Sequence, residues 1–155
     1  MGTMEIVDFQ PDHAGAFKAL NVAWISRLFT LEAKDLEVLD DPAGKILAPG
    51  GQILMAVEGE EAIGCVALMA MKDGGFEVAK MAVTDPYKGR GVGRDLMAAC
   101  IHRARQAGAP RLYLETNSSL APALGLYRRF GFQDVKPAQP SPYARADVMM
   151  ELRLS

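Results

Sequence analysis

The chain has 155 residues and a mass of 16.7 kDa, and with 50% hydrophobic and 23% charged residues it has the composition of one folded domain spanning residues 1–155. A net charge of −2, a pI near 5.7 and only 7% aromatic residues disfavour nucleic-acid binding. The longest apolar run, residues 62–71, is too short for a membrane span, and no basic and apolar leader opens the chain, so we expect neither a membrane location nor a secretory route.

The cysteines and the charge distribution further limit the possible location and ligands of the protein. Cys65 and Cys100 have no second Cys or His at ligand spacing, which predicts no metal, no disulfide framework and a cytoplasmic location. Residues 1–61 carry eleven acidic and four basic residues (net −7), whereas residues 62–155 carry eight acidic and thirteen basic residues (net +5). Two such halves either form the two walls of a cleft or are solvated faces.

The first part of the chain is predicted to form a strand and two helices. Residues 5–9 alternate as in a strand, and Pro11 and Asp12 then open an amphipathic helix, with a break near Asn21 as an open alternative. The apolar residues at helical spacing are Phe17, Leu20, Trp24 and Leu28. A second, short helix is expected over residues 31–39.

Three strands are predicted next. Residues 52–58 and 62–71 are rich in apolar residues and are separated by a polar Gly59-Glu60-Glu61, which is typical of a hairpin. Residues 76–83 follow the turn at residues 72–75 and are expected to run antiparallel to the preceding strand.

The remaining elements alternate between helix and strand. We expect a helix over residues 91–107 that ends at Gly108, and another that runs from an N-cap at Ser119 through Arg129, with Gly131 in the left-handed position after it. Strands are expected over residues 111–115, 132–135 and 147–154. The element order therefore predicts a mixed α/β (α+β) domain.

The start of the helix at residue 91 is the most informative segment. The residues there are Lys88, Gly89, Arg90, Gly91, Val92, Gly93 and Arg94. A helix N-terminus offers unpaired N–H groups and a positive dipole end to an anion, and Gly91 and Gly93 allow a diphosphate to approach the backbone. Arg90 and Arg94 can add charge-assisted hydrogen bonds.

Spacing argues against two common nucleotide motifs here. The dinucleotide fingerprint G-x-G-x-x-G fails in both registers, because Arg94 and Leu96 stand where glycine is required. A P-loop fails because Gly93 is followed by Arg94-Asp95 instead of Lys and Ser or Thr. An unrelated nucleotide-binding domain is therefore disfavoured, and a glycine-rich turn with solvated arginines remains as a structural alternative.

Two motifs together resemble the GCN5-related N-acetyltransferase (GNAT) superfamily. The sequence K-G-R-G-V-G at 88–93 is similar to its coenzyme A diphosphate loop, [Q/R]-x-x-G-x-[G/A], with Lys88 as a departure that keeps the charge but loses bidentate geometry. Leu126-Tyr127-x-x-x-Gly131-Phe132 resembles the Y-x-x-x-G-F signature. The resemblance implies a central, mostly antiparallel sheet of about six or seven strands with splayed strands 4 and 5, flanked by about four helices.

The resemblance also implies a reaction and the residues that perform it. The reaction is acetyl transfer from acetyl-CoA, used as a cosubstrate without a metal, to a primary amine by direct attack. Glu77 is implied as the general base and Tyr127 as the general acid that protonates the thiolate. A base is needed because a lysine-like amine costs roughly 4.6 kcal/mol to deprotonate at pH 7. Alternatively, Glu77 is a solvent-facing strand residue and Tyr127 a core residue.

Further residues are implied as ligands. The cofactor is expected to contact Met81, Ala82, Val83, Asn117 and Tyr127 in addition to the seven loop residues from Lys88 to Arg94. Asn117 either hydrogen-bonds the pantetheine arm or simply ends its strand. For the acceptor, a small-molecule or peptide amine, the early helices offer Asn21, Trp24, Phe29, Glu32 and Asp35, although Trp24 also fits a core position. Superfamily habit suggests a homodimer. The rival function is a coenzyme A sensor or degenerate acyltransferase without efficient turnover.

Overall fold

The structure is a computed structural model that describes residues 4–137 and 139–154. The strands within them are β1 (Met4–Asp8), β2 (Gln52–Glu58), β3 (Glu61–Ala70), β4 (Phe76–Val83), β5 (Arg111–Thr116), β6 (Gln133–Asp134) and β7 (Val148–Arg153). The α-helices are α1 (Ala14–Leu28), α2 (Ala33–Leu39), α3 (Val92–Gln106) and α4 (Ala121–Arg129). Short helical turns lie at Pro11–His13, Ala43–Leu47 and Asp85–Tyr87. No helix in the described ranges is long and apolar enough to cross a membrane.

The strands form one sheet in the order β1-β2-β3-β4-β5-β7-β6. Neighbours are antiparallel except for β4 and β5, which run parallel. These two strands pair only where Phe76–Val78 meets Leu112–Leu114, and they then separate, although β4 continues to Val83 and β5 to Thr116. The predicted mixed α/β fold with a mostly antiparallel sheet and splayed strands 4 and 5 is therefore confirmed.

Helices cover both faces of the sheet. Leu96, Met97 and Cys100 of α3 pack on one face, in a cluster that also contains Leu124 of α4. On the opposite face, residues of α1, α2 and the turn at Ala43–Leu47 form a second cluster, which includes Phe17. The two layers bury the apolar residues of the central strands on both sides, so β3 shows a nearly continuous buried run instead of alternation.

A β-bulge in β4 changes which face each residue meets. Cys65 of β3 pairs with Ala82, but Ala67 pairs with Ala79, so the single residue between them on β3 faces two residues on β4. Lys80, one of these two, has a left-handed φ of 55°. Phe76 and Val78 before the bulge pack with α3, whereas Ala82 after it belongs to the cluster under α1. The extra residue thus reverses the alternation of the strand.

Two local details differ from what the sequence suggested. Helix α1 runs unbroken through Asn21, so the alternative of a break there is wrong, and the Asn21 Nδ2 donates to the Phe17 carbonyl one turn earlier at 3.0 Å. Ser119 is not the N-cap of α4, which begins at Ala121 after Leu120. The Ser119 N–H and hydroxyl instead donate to Asn117 Oδ1, at 2.8 and 2.6 Å. The left-handed glycines after the helices, Gly108 (φ 73°) and Gly131 (φ 100°), are confirmed.

The start of β2 predicts a stability difference between two glycine substitutions. A Cβ on Gly51 would lie 2.3 Å from the Leu68 carbonyl oxygen and 2.6 Å from that of Ile46, and neither backbone atom can move cheaply. We expect Gly51→Ala to lower the free energy of unfolding by roughly 1–3 kcal/mol or more in urea denaturation.

Gly15→Ala is the matched control, because a Cβ on exposed Gly15 in α1 meets nothing within 4 Å. That change is expected to raise stability by up to about 1 kcal/mol through helix propensity. Equal effects of the two substitutions would show that the packing around Gly51 is looser than described.

Candidate active site

The glycine-rich segment forms an open helix start. The turn at Asp85–Tyr87 follows β4, and Gly89 and Gly91 then adopt left-handed φ angles of 78° and 85°, the second as the N-cap of α3. The N–H groups of the first turn of α3 therefore lack partners within the helix. A Cβ on Gly89 would meet nothing within 4 Å, whereas a Cβ on Gly91 would lie 2.8 Å from a guanidinium nitrogen of Arg94, so the Arg94 side chain lies against this helix start.

Cationic side chains surround this helix start. Lys88, Arg90 and Arg94 are all exposed. Lys88 Nζ lies 3.0 Å from Asp85 Oδ1, and the Arg90 guanidinium lies over the Tyr87 ring, 5.1 Å from its centroid. Unpaired N–H groups, a positive helix end and flexible cations together form a site suited to a diphosphate.

A cavity of about 90 Å³ lies where β4 and β5 part. Its walls come from α1, β4, β5 and the segment before β7. The lining residues are Trp24, Ile25, Glu77, Val78, Ala79, Lys80, Glu115, Tyr143, Arg145 and Ala146. Val78 is the last residue of β4 that pairs with β5, so the cavity begins where the strands diverge.

Glu77 reaches this cavity as a partly buried carboxyl group. Burial, with a smaller contribution from the nearby charge of Glu115, raises the pKa of Glu77 from 4.5 to about 7, and Lys80 opposes this shift. Such a carboxyl group accepts and releases a proton near neutral pH, which is what a general base requires.

A buried ion-pair network forms one side of the cavity. The Asp35 side chain is fully buried and accepts a hydrogen bond from Lys80 Nζ at 2.9 Å. Both terminal guanidinium nitrogens of Arg145 also donate to Asp35, one of them at 2.9 Å. Burial alone would raise the pKa of Asp35, but the bonds from Arg145, Lys80 and the Glu32 N–H outweigh it and lower the pKa from 3.8 to about 2.

Tyr127 lies on α4, on the opposite side of the sheet from α1. Its ring packs against the cluster under α3 and α4, and its centroid lies 6.0 Å from that of Phe132. Burial raises the pKa of Tyr127 to about 12, so the phenol is protonated at neutral pH. The side chain is therefore a packing residue whose hydroxyl keeps its proton at neutral pH and is a weaker acid than that of a free tyrosine.

The predicted acceptor residues lie around the cavity in different roles. Trp24 lines it, and its Nε1 donates to Asn21 Oδ1 at 3.2 Å. Asn21 is fully buried, with its Nδ2 directed to Phe17 and to Cys65 Sγ, so it supports Trp24 from behind. Phe29 packs edge-on against Trp24 at 6.2 Å, and Glu32 accepts from Arg145 at 3.3 Å.

The structure also locates Asn117 and residues that sequence reasoning missed. Asn117 Nδ2 donates to the Arg145 carbonyl at 2.7 Å, which uses one of the two hydrogens of this amide nitrogen. Lys80, Glu115, Tyr143 and Arg145 were missed. The only sequence signal was the position of Glu115 at a strand end, whereas Tyr143 and Arg145 lie in an irregular, Pro-rich segment without periodicity.

Comparison with known proteins places this architecture in a family. The sequence profile of the acetyltransferase (GNAT) family matches residues 16–132. An uncharacterized N-acetyltransferase of Bacillus subtilis (strain 168), YsnE, is 35% identical over 95 residues, which cover 60% of this chain and 63% of that protein. The match thus spans less than two thirds of that relative.

Solved structures show the same fold. A GNAT-family acetyltransferase from Staphylococcus aureus Mu50 superposes with a TM-score of 0.90 at 17% identity, covering 99% of this chain and 100% of that one. YncA from Salmonella typhimurium, solved with its cofactor acetyl-CoA, superposes with a TM-score of 0.75 at 19% identity over 99% and 95% of the two chains. Because the family profile covers most of its length, the chain belongs to the GNAT acetyltransferase family.

The buried ion pairs predict a large effect of one substitution. Asp35→Asn removes the anion that compensates Lys80 and Arg145, and we expect the free energy of unfolding to fall by about 3–5 kcal/mol. Asp40→Asn is the matched control, because Asp40 pairs with Lys18 on the surface and such pairs contribute about 0–1 kcal/mol. Urea denaturation at pH 7 measures both, and a loss below about 1 kcal/mol for Asp35→Asn would contradict the described network.

The raised pKa of Glu77 predicts a pH dependence of stability. Between pH 4.5 and about 7 the folded state holds a proton that the unfolded state has lost, so stability falls as the pH rises across this window. We expect Glu77→Gln to remove this loss, roughly 1–3 kcal/mol, when unfolding is compared at pH 5 and pH 7.5. Because wild type and Glu77→Gln contain the same histidines, the difference between their pH profiles of stability reports on Glu77. Parallel pH profiles would mean that Glu77 has an ordinary pKa.

Proposed function

We propose that this protein is an acetyl-CoA-dependent N-acetyltransferase that transfers an acetyl group to a primary amine by direct attack. The observation that carries the proposal is the position of Glu77, a carboxyl group with a pKa of about 7, in a cavity that begins where β4 and β5 diverge. The glycine-rich start of α3 follows the same β4 strand, so an anion site and a base lie at the two ends of one element.

The described residues fit acetyl-CoA. The N–H groups at the start of α3, with Arg90 and Arg94, would hold the diphosphate, and the end of β4 would hold the pantetheine arm through its backbone. The bulge interrupts the pairing of β4 with β3, which supports a role for a backbone N–H among Met81, Ala82 and Val83 in binding the thioester oxygen. When bound, acetyl-CoA supplies the activated acetyl group.

Proton transfer is assigned to two side chains. Glu77 accepts the proton of the attacking amine, directly or through water, as the amine nitrogen bonds to the acetyl carbon. Tyr127 donates its phenolic proton to sulfur as the carbon–sulfur bond breaks. The buried thiols Cys65 and Cys100, whose pKa values burial raises to about 12, are unsuited to carry the acetyl group, which favours direct attack.

Thermal unfolding with saturating acetyl-CoA, with NADH and ATP as controls, tests cofactor binding. At one hundred times its dissociation constant the ligand adds about 2.7 kcal/mol, or roughly 5–10 °C for a domain of this size. A shift with acetyl-CoA followed by thiol release with amines supports an enzyme. A shift without thiol release from any amine points to a coenzyme A sensor, and no shift at millimolar acetyl-CoA would refute the proposal.

We also propose that the protein is a cytoplasmic homodimer. Size-exclusion chromatography tests the homodimer, and cell fractionation tests the location.

The helix start predicts a charge-specific loss of affinity. We expect Arg94→Gln to weaken acetyl-CoA binding roughly tenfold in calorimetry, because a charge-assisted hydrogen bond to the diphosphate is lost. Arg105→Gln removes the same charge from an exposed position at the other end of α3 and is expected to bind normally. If both variants weaken binding equally, the effect is one of net charge and the diphosphate lies elsewhere.

The proton-transfer roles predict two distinct kinetic defects. Glu77→Gln is expected to lower kcat/KM by roughly 10²–10⁴ at pH 7 and to remove the acidic limb near pH 7 that wild type should show. Tyr127→Phe is expected to lower kcat at least about tenfold without moving that limb. Glu5→Gln, on an exposed position of β1, serves as a control with unchanged rates. A rate for Glu77→Gln near that of wild type would exclude Glu77 as the base.

A further inference from the structure

The cavity between β4 and β5 contains a second carboxylate, Glu115, to which the proposed reaction assigns no role. Glu77 pairs in register with Tyr113, and Glu115 lies two residues further along β5, so all three belong to one face of the sheet. Glu77 and Glu115 both line the cavity, on the two strands that diverge there. The cavity therefore presents one carboxyl group from each of its two strand walls.

Glu115 is held in place by its neighbours. The Tyr113 hydroxyl donates to Glu115 Oε2 at 2.8 Å, and the Ser141 hydroxyl donates to Glu115 Oε1 at 2.6 Å. A carboxylate has about four acceptor positions, so each oxygen keeps capacity for a further donor. Glu115 is thus an oriented acceptor whose hydrogen-bonding capacity is only half used.

The cations that line the cavity do not offset this carboxylate. Lys80 is paired with Asp35, and Arg145 is paired with both Asp35 and Glu32. These four charges balance each other within the wall. Among the described residues Glu115 has no ion-pair partner, and Glu77, with a pKa of about 7, carries part of a negative charge at neutral pH. A ligand carboxylate is therefore repelled there and a ligand cation is attracted.

The size and the aromatic walls limit the ligand. A cavity of about 90 Å³ has the volume of about three water molecules, which suits a short aliphatic chain. Trp24 and Tyr143 line it, but Lys80 and Arg145 already lie over the Tyr143 ring, 4.6 and 4.8 Å from its centroid. Trp24 is therefore the aromatic wall on which a ligand ammonium group can pack. A short cationic acceptor suits these walls.

We propose that the acceptor is a short aliphatic diamine, whose reacting amine faces Glu77 and whose second ammonium group binds Glu115. This inference rests on the proposed function, since it specifies the substrate of the same site. While Glu77 takes the proton of the reacting nitrogen, the other nitrogen keeps its charge throughout the reaction. Glu115 is therefore a specificity-determining residue, which selects a cation and holds it at a fixed distance from the base.

Acceptors of equal length test the proposal. Thiol release is measured with propane-1,3-diamine, 3-amino-1-propanol and β-alanine, three-carbon amines that end in an ammonium, a hydroxyl and a carboxylate group. We expect kcat/KM for the diamine to exceed that for the amino alcohol at least tenfold, and β-alanine to be the poorest. In Glu115→Gln this ratio is expected to fall below threefold. A wild-type ratio near one would overturn the proposal while leaving the acetyltransferase function intact.

Ser141→Ala separates charge from structure. It removes a hydrogen bond to Glu115 but leaves the carboxylate, so the preference for the diamine is expected to persist.

The pH profile gives a second readout. Glu115→Gln removes a charge that raises the pKa of Glu77, so the acidic limb should move to lower pH, whereas Lys80, Tyr143 and Arg145, the other ionisable groups of the cavity, are unchanged. Loss of preference in both variants without that movement would mean that Glu115 acts only through packing.

Calorimetry distinguishes failure of this proposal from failure of the proposed function. Propane-1,3-diamine and 3-amino-1-propanol are titrated into the protein with and without saturating coenzyme A, and no turnover is required. Preference for the diamine that is lost in Glu115→Gln supports the site, even if thiol release is absent. Equal binding of the two amines to wild type overturns it, whether or not coenzyme A binds.

Discussion

The buried carboxylate of Asp35 is the interaction on which the candidate site depends. Asp35 lies on α2, Lys80 lies in the bulge of β4, and Arg145 lies in the segment before β7. One anion thereby joins three parts of the chain that are far apart in sequence, with its pKa lowered to about 2. A buried charge left without partners is costly, so the three elements stay together or the site is lost.

The bulge in β4 shows how this network offsets a local cost. A left-handed conformation costs a residue other than glycine about 1–2 kcal/mol, and Lys80 adopts it with a φ of 55°. Its ammonium group is held by Asp35 and by the Tyr143 hydroxyl at 3.2 Å, and its carbonyl accepts from Cys65 Sγ at 3.5 Å. The bulge thereby turns the strand, so that Glu77 lines the cavity on one face of the sheet, whereas Met81 and Val83 pack towards α3 on the other face.

The same strand joins the two halves of the proposed reaction. Parallel pairing with β5 ends at Val78, and beyond that point the strands diverge, which opens the sheet for a ligand. The N-terminal part of β4 carries Glu77, and its C-terminal end leads to the glycine-rich start of α3. The uneven charge of the chain follows this division in part, because Arg90 and Arg94 lie at the start of α3, whereas Glu32 and Asp35 bind Arg145 beside the cavity. The cavity itself mixes both signs, however, so charge counts along the sequence did not describe it.

The sequence alone determined the elements whose signals are local. Apolar periodicity located α3, glycines marked the left-handed ends at Gly108 and Gly131, and the spacing around Lys88 argued against a dinucleotide fingerprint and a P-loop. The resemblance of two short motifs, at 88–93 and 127–132, implied the family, and the order of the elements predicted the mixed sheet. Only the tertiary structure decided the bulge at Lys80, the continuity of α1 through Asn21 and the meeting of Glu77 with Glu115. These features depend on partners more than 30 residues away, such as Cys65 for Asn21, Asp35 for Lys80 and β5 for Glu77, and no periodicity within a short window of sequence records such contacts.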